Sequence, residues 1–210
     1  MNLFNLHFET ILLSIPGIII TIGLHEWTKA VTAYKLGDTS VKTAGRLTPN
    51  PVKHMDMLGF LLKALMGYGW SKPIKLNPFS YKDRKVALIT IFTIPFLVNI
   101  LIGIFFAIAS TMWLNHTLGS LAFSDINYYI WLALRLAAIA NISFALLNFI
   151  PIYPLNGSFL LNAVAPRLSL KIASVEKIMQ IVLIFFIVIG GASRTFGWLT
   201  HQLLGVFMIY

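Results

Sequence analysis

The sequence predicts an all-α membrane protein: a polytopic bundle of four to five transmembrane helices, with a re-entrant segment and a short membrane-associated strand or hairpin. Three observations lead there. Of 210 residues, 58% are hydrophobic and only 11% charged, a ratio well outside that of soluble domains. The apolar residues gather into runs long enough to cross a hydrocarbon core, which takes about 20 helical residues. The Lys and Arg side chains cluster between those runs, as they do in the loops of membrane proteins.

The elements follow in order. Ile11 to Tyr34 is the first expected span, and its second half carries His25, Glu26 and Lys29. Met1 to Thr10 has no Lys or Arg, and the apolar run continues without a cleavage-type break, so this segment is expected to be retained rather than removed as a signal peptide. Met57 to Gly67 is too short to span and contains Lys63, which suits a re-entrant or shallow segment. "GWSKPIKLNP", Gly69 to Pro78, alternates loosely between apolar and polar residues and ends in Asn-Pro, a pattern for an extended strand or hairpin. Val86 to Trp113 and Tyr128 to Ile150 are the next spans. Lys177 to Ala192 is slightly short and needs Ser174 to Glu176 to complete it. Phe196 to Tyr210, interrupted by glycines and His201, reads as an interfacial helix or a fifth span. The whole chain, 1–210, is expected to form one integral membrane domain, with a core over about residues 10–165 and C-terminal helices over 174–210.

Loop charge gives an expected orientation. Lys35, Lys42, Arg46, Lys53, Lys72, Lys75, Lys82, Arg84 and Lys85 lie between the first two long spans, whereas Asn115 to Asn127 has no Lys or Arg. The basic loops are therefore expected to be cytoplasmic and the N-terminus external, in a multi-pass protein of the cell membrane. The net charge of +9 then points to anionic lipid headgroups rather than nucleic acid. The absence of cysteine removes disulfides, thiolate metal sites and cysteine nucleophiles.

Two stretches carry chemistry. "GLHEWTKA", Gly23 to Ala30, has the His-Glu opening of an H-E-x-x-H zinc motif, in which imidazoles at i and i+4 share a helix face and the Glu polarises a metal-bound water. Lys29 stands where the second histidine belongs, and a protonated amine has no lone pair for a metal. "NFIPIYPLNGSFLL", Asn148 to Leu161, breaks its helix at two prolines and turns at Gly157, presenting Asn156 at the same membrane depth as His25. His7, His116 and His201 have no ligand spacing around them, and Arg135, inside a span, is expected to snorkel or bond helix carbonyls.

Taken together, His25-Glu26, "NPVKHMDMLG" (Asn50 to Gly59), "GWSKPIKLNP", Pro95 with Asn99, and "NFIPIYPLNG" resemble, in order and approximate spacing, the site-2 protease family of intramembrane zinc metalloproteases. The resemblance covers roughly Gly23 to Gly157. It implies a general base at Glu26, vestigial here, and metal-ligand positions at His25, Lys29 and Asn156. In that family Lys29 would be histidine and Asn156 the aspartate of Leu-Asp-Gly, so two of the three ligands are replaced. Ile94 also replaces the glycine of the family's G-P-x-x-N. His54, Asp56, Pro154 and Gly157 fit further family positions. Asn99, Asn148, Trp70, Lys72, Pro73 and Asn77 fall where the family holds a transmembrane substrate unwound into a strand.

The expected function is accordingly a catalytically inactive protease-like protein, a pseudoprotease, that binds, scaffolds or regulates another integral membrane protein or transmembrane segment, with no cofactor. One alternative is an active zinc metalloendopeptidase using unconventional ligands; another is a structural subunit of a membrane complex. Replacing a divalent ion and a ligand carboxylate by one ammonium keeps the charge count of the cluster at zero. Lys29 is expected either to take the metal's place, joining two spans, or to snorkel to the membrane surface.

Overall fold

The computed structural model describes residues 8–119 and 124–207. His7, and the parts of the expected Asn115–Asn127 loop and of the last apolar run that fall at 120–123 and 208–210, lie outside the described residues.

The first helix, α1 (Phe8–Lys35), buries one face. Ile18, Ile22, His25, Glu26, Lys29 and Ala33 recur at three- and four-residue spacing, so the apolar stripe and the chemically interesting residues point the same way. Against this face pack α4 (Arg84–Gly119) and α5 (Asp125–Leu147), forming a three-helix core. In lipid such packing depends on close approach, and small residues supply it. A Cβ at Gly17 would sit 2.7 Å from the Ala137 Cα on α5.

Between α1 and α4 the chain makes a short helix, α2 (Ser40–Thr43), and an apolar one too short to span, α3 (Met57–Met66). Asp56 caps α3 by accepting from the Gly59 N–H at 2.9 Å, and Gly67 ends it in the left-handed region at φ 77°. After α5 come α6 (Asn156–Val164), the amphipathic α7 (Pro166–Ala173), α8 (Glu176–Val188) and α9 (Gly191–Gly205).

The molecule is an all-α membrane protein whose described residues hold three helices long and apolar enough to cross a bilayer: α1, α4 and α5. Four to five were expected. The last two differ because α8 stops at Val188 and Gly190, at φ 77°, turns the chain, so α8 and α9 reach spanning length only as one pair bent by 65°. The expected strand or hairpin over Gly69–Pro78 is also absent as a regular element. That stretch is irregular, with a single antiparallel bridge from Ser71 to Met55 among the described residues. Two of its residues, Pro73 and Pro78, have no N–H to offer a ladder.

One acid ties this loop down. Asp38 is buried and accepts from the Ser40 N–H at 3.0 Å, the Asn77 N–H at 2.8 Å and the Tyr81 hydroxyl at 2.9 Å. Burial alone would raise its carboxyl pKa, but these donors together outweigh it and hold the group below its ordinary 3.8. A depressed folded pKa gives stability that is present above the unfolded value and lost as pH falls through the folded one. We therefore expect Asp38→Asn to cost about 1.5–3 kcal/mol at neutral pH, the range for hydrogen bonds to a charged group. The gap to wild type should narrow below pH 3.8, as acid-unfolding curves would show.

Candidate functional site

The two sequence stretches meet. The proline-interrupted turn after α5 brings Asn156, the first residue of α6, against the buried face of α1. The turn is closed by Asn148, the C-cap of α5. Its carbonyl accepts from the Gly157 N–H at 2.7 Å, and its side-chain oxygen accepts from the Asn156 N–H at 3.3 Å. Gly157 is needed sterically, because a Cβ there would collide with the Phe149 and Ile150 carbonyl oxygens. Pro154, buried just before it, follows a cis peptide bond.

At the centre is Lys29. Its side chain is 2% exposed, so it does not snorkel. The ammonium donates to Glu26 Oε1 one turn earlier and to Asn156 Oδ1 at 2.8 Å, and it lies 5.5 Å from the centre of the Phe92 ring on α4. Asn156 uses its other end on the neighbouring histidine: Nδ2 donates to His25 Nε2 at 2.5 Å. That bond makes Nε2 an acceptor and puts the imidazole proton on Nδ1, which is buried and has no hydrogen-bond partner among the described residues. Glu26 Oε1 also accepts from the Ser71 hydroxyl at 2.7 Å. His25, Glu26, Lys29 and Asn156 thus form one buried, hydrogen-bonded cluster joining α1 to α6.

Arg46 was legible only as a loop charge. It is buried, donates to the Lys53 and Lys72 carbonyls, and stands 3.7 Å from Glu26 Oε2. It changes the charge count, since the cluster holds two cations against one carboxylate rather than an even balance. Arg46, Ser71 and Phe92 were all missed. Ser71 alone had a signal, lying between Trp70 and Lys72 in the stretch already singled out.

The other expected residues fall in four groups. Asn99 is fully buried, and neither end of its amide has a hydrogen-bond partner among the described residues. His54 and Asp56 serve the backbone: His54 is buried and bonds the Thr48 carbonyl through Nε2 at 2.7 Å, while Asp56 caps α3. Burial, above all, keeps the His54 imidazole below its ordinary range and therefore neutral. Trp70 is buried and Pro73 half-buried, whereas Lys72 and Asn77 are exposed. The Lys72 N–H donates to the His54 carbonyl at 2.9 Å, and the Asn77 side chain caps the Phe79 N–H at 3.1 Å. Arg135 places its guanidinium over the Trp131 ring at 5.2 Å, and His116 and His201 are exposed.

A divalent metal does not fit this donor set. His25 Nε2 is taken by the Asn156 amide, Glu26 Oε1 by Lys29 and Ser71, and an ammonium occupies the middle. No group of three His, Cys, Asp or Glu among the described residues is placed to hold a metal ion.

Apolar helices of spanning length around a buried polar cluster define a helical membrane protein. The chain is 32% identical over 158 residues to a Bacillus subtilis (strain 168) protein named "Putative zinc metalloprotease YwhC", an alignment covering 71% of this chain and 67% of that one. The chain belongs to that metalloprotease family. No family model matches it, and no solved structure does.

Proposed function

We propose that this chain is a catalytically inactive member of its family, a multi-pass site-2 protease-like pseudoprotease that binds another integral membrane protein. One observation carries the reading. The ammonium of Lys29 bridges Glu26 and Asn156 at the position where the family's second histidine and aspartate would hold a metal. The general base is neutralised, and the remaining ligand, His25, has its Nε2 lone pair engaged. The relative's name speaks for the alternative of an active zinc protease, which requires Lys29 to leave the cluster.

Binding has support of its own. After the Ser71 bridge, Ile74, Lys75 and Leu76 make no backbone hydrogen bond with described residues, which leaves backbone groups for an unwound transmembrane segment to pair with. Asn99 offers further unpaired amide groups, buried in the core. The basic loops are cytoplasmic and the N-terminus external; exposed Lys72, Lys75, Lys82 and Lys85 suit an anionic leaflet.

The deciding experiment is metal content with proteolysis. Purified full-length protein is expected to hold far less than one zinc per chain and to leave a transmembrane reporter uncut, with Glu26→Gln indistinguishable from wild type. Stoichiometric zinc with Glu26-dependent cleavage would replace this reading by the active one. A photo-crosslinking residue at Leu76 is expected to capture a membrane protein that the same residue at lipid-facing Leu101 does not.

A further inference from the structure

A cavity of about 700 Å³ lies apart from the Lys29 cluster, bounded by the N-terminal half of α1, by α3 and α5, and by the bend between α8 and α9. Most of its wall is apolar, but three cations line it, Lys63, Arg135 and Arg194, and no Asp or Glu does. Lys63 is 2% exposed, and its ammonium is held by neutral acceptors alone: the Gly67 and Ala140 carbonyls, both at 3.0 Å, and the Ser143 hydroxyl at 2.7 Å. The Arg194 side chain is exposed to the cavity and makes no ion pair or hydrogen bond with described residues.

Cations in a membrane segment are costly unless a counter-charge or water reaches them. A ligand arriving from the bilayer must then carry both an anionic group and an apolar body. We propose that this cavity binds an anionic phospholipid, its phosphate meeting Arg194 in the field of Lys63 and an acyl chain lying along the apolar wall. The guanidinium fork matches phosphate oxygens, and a volume of this size is within the range of small-ligand sites. A zwitterionic lipid would bring its own ammonium into a group of cations, so the site discriminates by net headgroup charge. The inference does not depend on whether the Lys29 cluster is catalytic.

The test uses the full-length protein in phosphatidylcholine nanodiscs containing a trace of diazirine-tagged phosphatidylglycerol, with mapping of the labelled peptides. Label is expected on α3, α5 and α9. Arg194→Gln should cut it about fivefold, the effect of one interfacial cation on an anionic lipid. Arg194→Lys should keep most of the label, and Lys171→Gln, on exposed α7, all of it. Phosphatidylglycerol should also raise the Tm of wild type but not of Arg194→Gln. Equal labelling by a tagged phosphatidylcholine, labelling only by a tagged free fatty acid or a transmembrane peptide, or an unchanged Arg194→Gln would each overturn the proposal.

Discussion

A Lys29→Met variant is expected to unfold about 3–5 kcal/mol more readily than wild type, the cost of leaving a buried carboxylate without its counter-ion. Methionine is close to lysine in shape, so packing against Phe92 is largely kept and the loss reports the charge. Glu26 is fully buried and its remaining partners are weaker: the Ser71 hydroxyl at 2.7 Å and the Arg46 guanidinium at 3.7 Å from the other carboxylate oxygen. Asn156 Oδ1 also loses its donor, leaving the His25–Asn156 bond to hold the side chains of α1 to the turn after α5. Adding Glu26→Gln in the Lys29→Met background should recover much of the loss, because a buried ion pair replaced as a pair is near neutral where half a pair is not. Unfolding of the detergent-solubilised proteins measures all three variants against wild type. A Lys29→Met protein within about 0.5 kcal/mol of wild type, the size of an ordinary surface change, would mean that the ammonium is solvated elsewhere.

Not all of this was readable from residues. The three long helices were, because an apolar run of that length in an otherwise charge-poor chain has few other uses. The shortened α8 was not: a hydropathy pattern runs on through Ile189 and Gly190, and only the backbone conformation at Gly190 shows that the helix ends there. The strand reading failed because alternation specifies an extended backbone but says nothing of a second strand to pair with. Within the site, His25, Lys29 and Asn156 were legible because one motif placed the first two a helical turn apart and another broke the chain at Asn156. Arg46 was not legible. Its role depends on a loop folding back so that the Lys53 and Lys72 carbonyls hold the guanidinium beside Glu26, and no local pattern encodes that.

Arg46 also decides how a restored metal site would behave. In Lys29→His with Asn156→Asp, the ammonium is gone, an imidazole stands one turn from His25, and a carboxylate replaces the amide now bonded to His25 Nε2 at 2.5 Å. Without metal this variant buries two carboxylates, at 26 and 156, against the single cation Arg46, and is expected to be less stable than wild type. With a divalent ion its net charge becomes equal to that of the wild-type cluster, one positive unit in each case. Zinc should therefore bind at one per chain and stabilise the fold by about 2.7 kcal/mol when free metal is a hundred times the Kd. Neither single variant should retain metal through gel filtration, since each lacks a ligand and Asn156→Asp alone still has Lys29 in the middle. The pair of readouts, metal content and zinc-dependent Tm, is independent of whether proteolysis returns. A double variant that stays metal-free and loses no stability would show that the cavity no longer has the dimensions of a metal site, and that Lys29 settled into a space already reshaped around it.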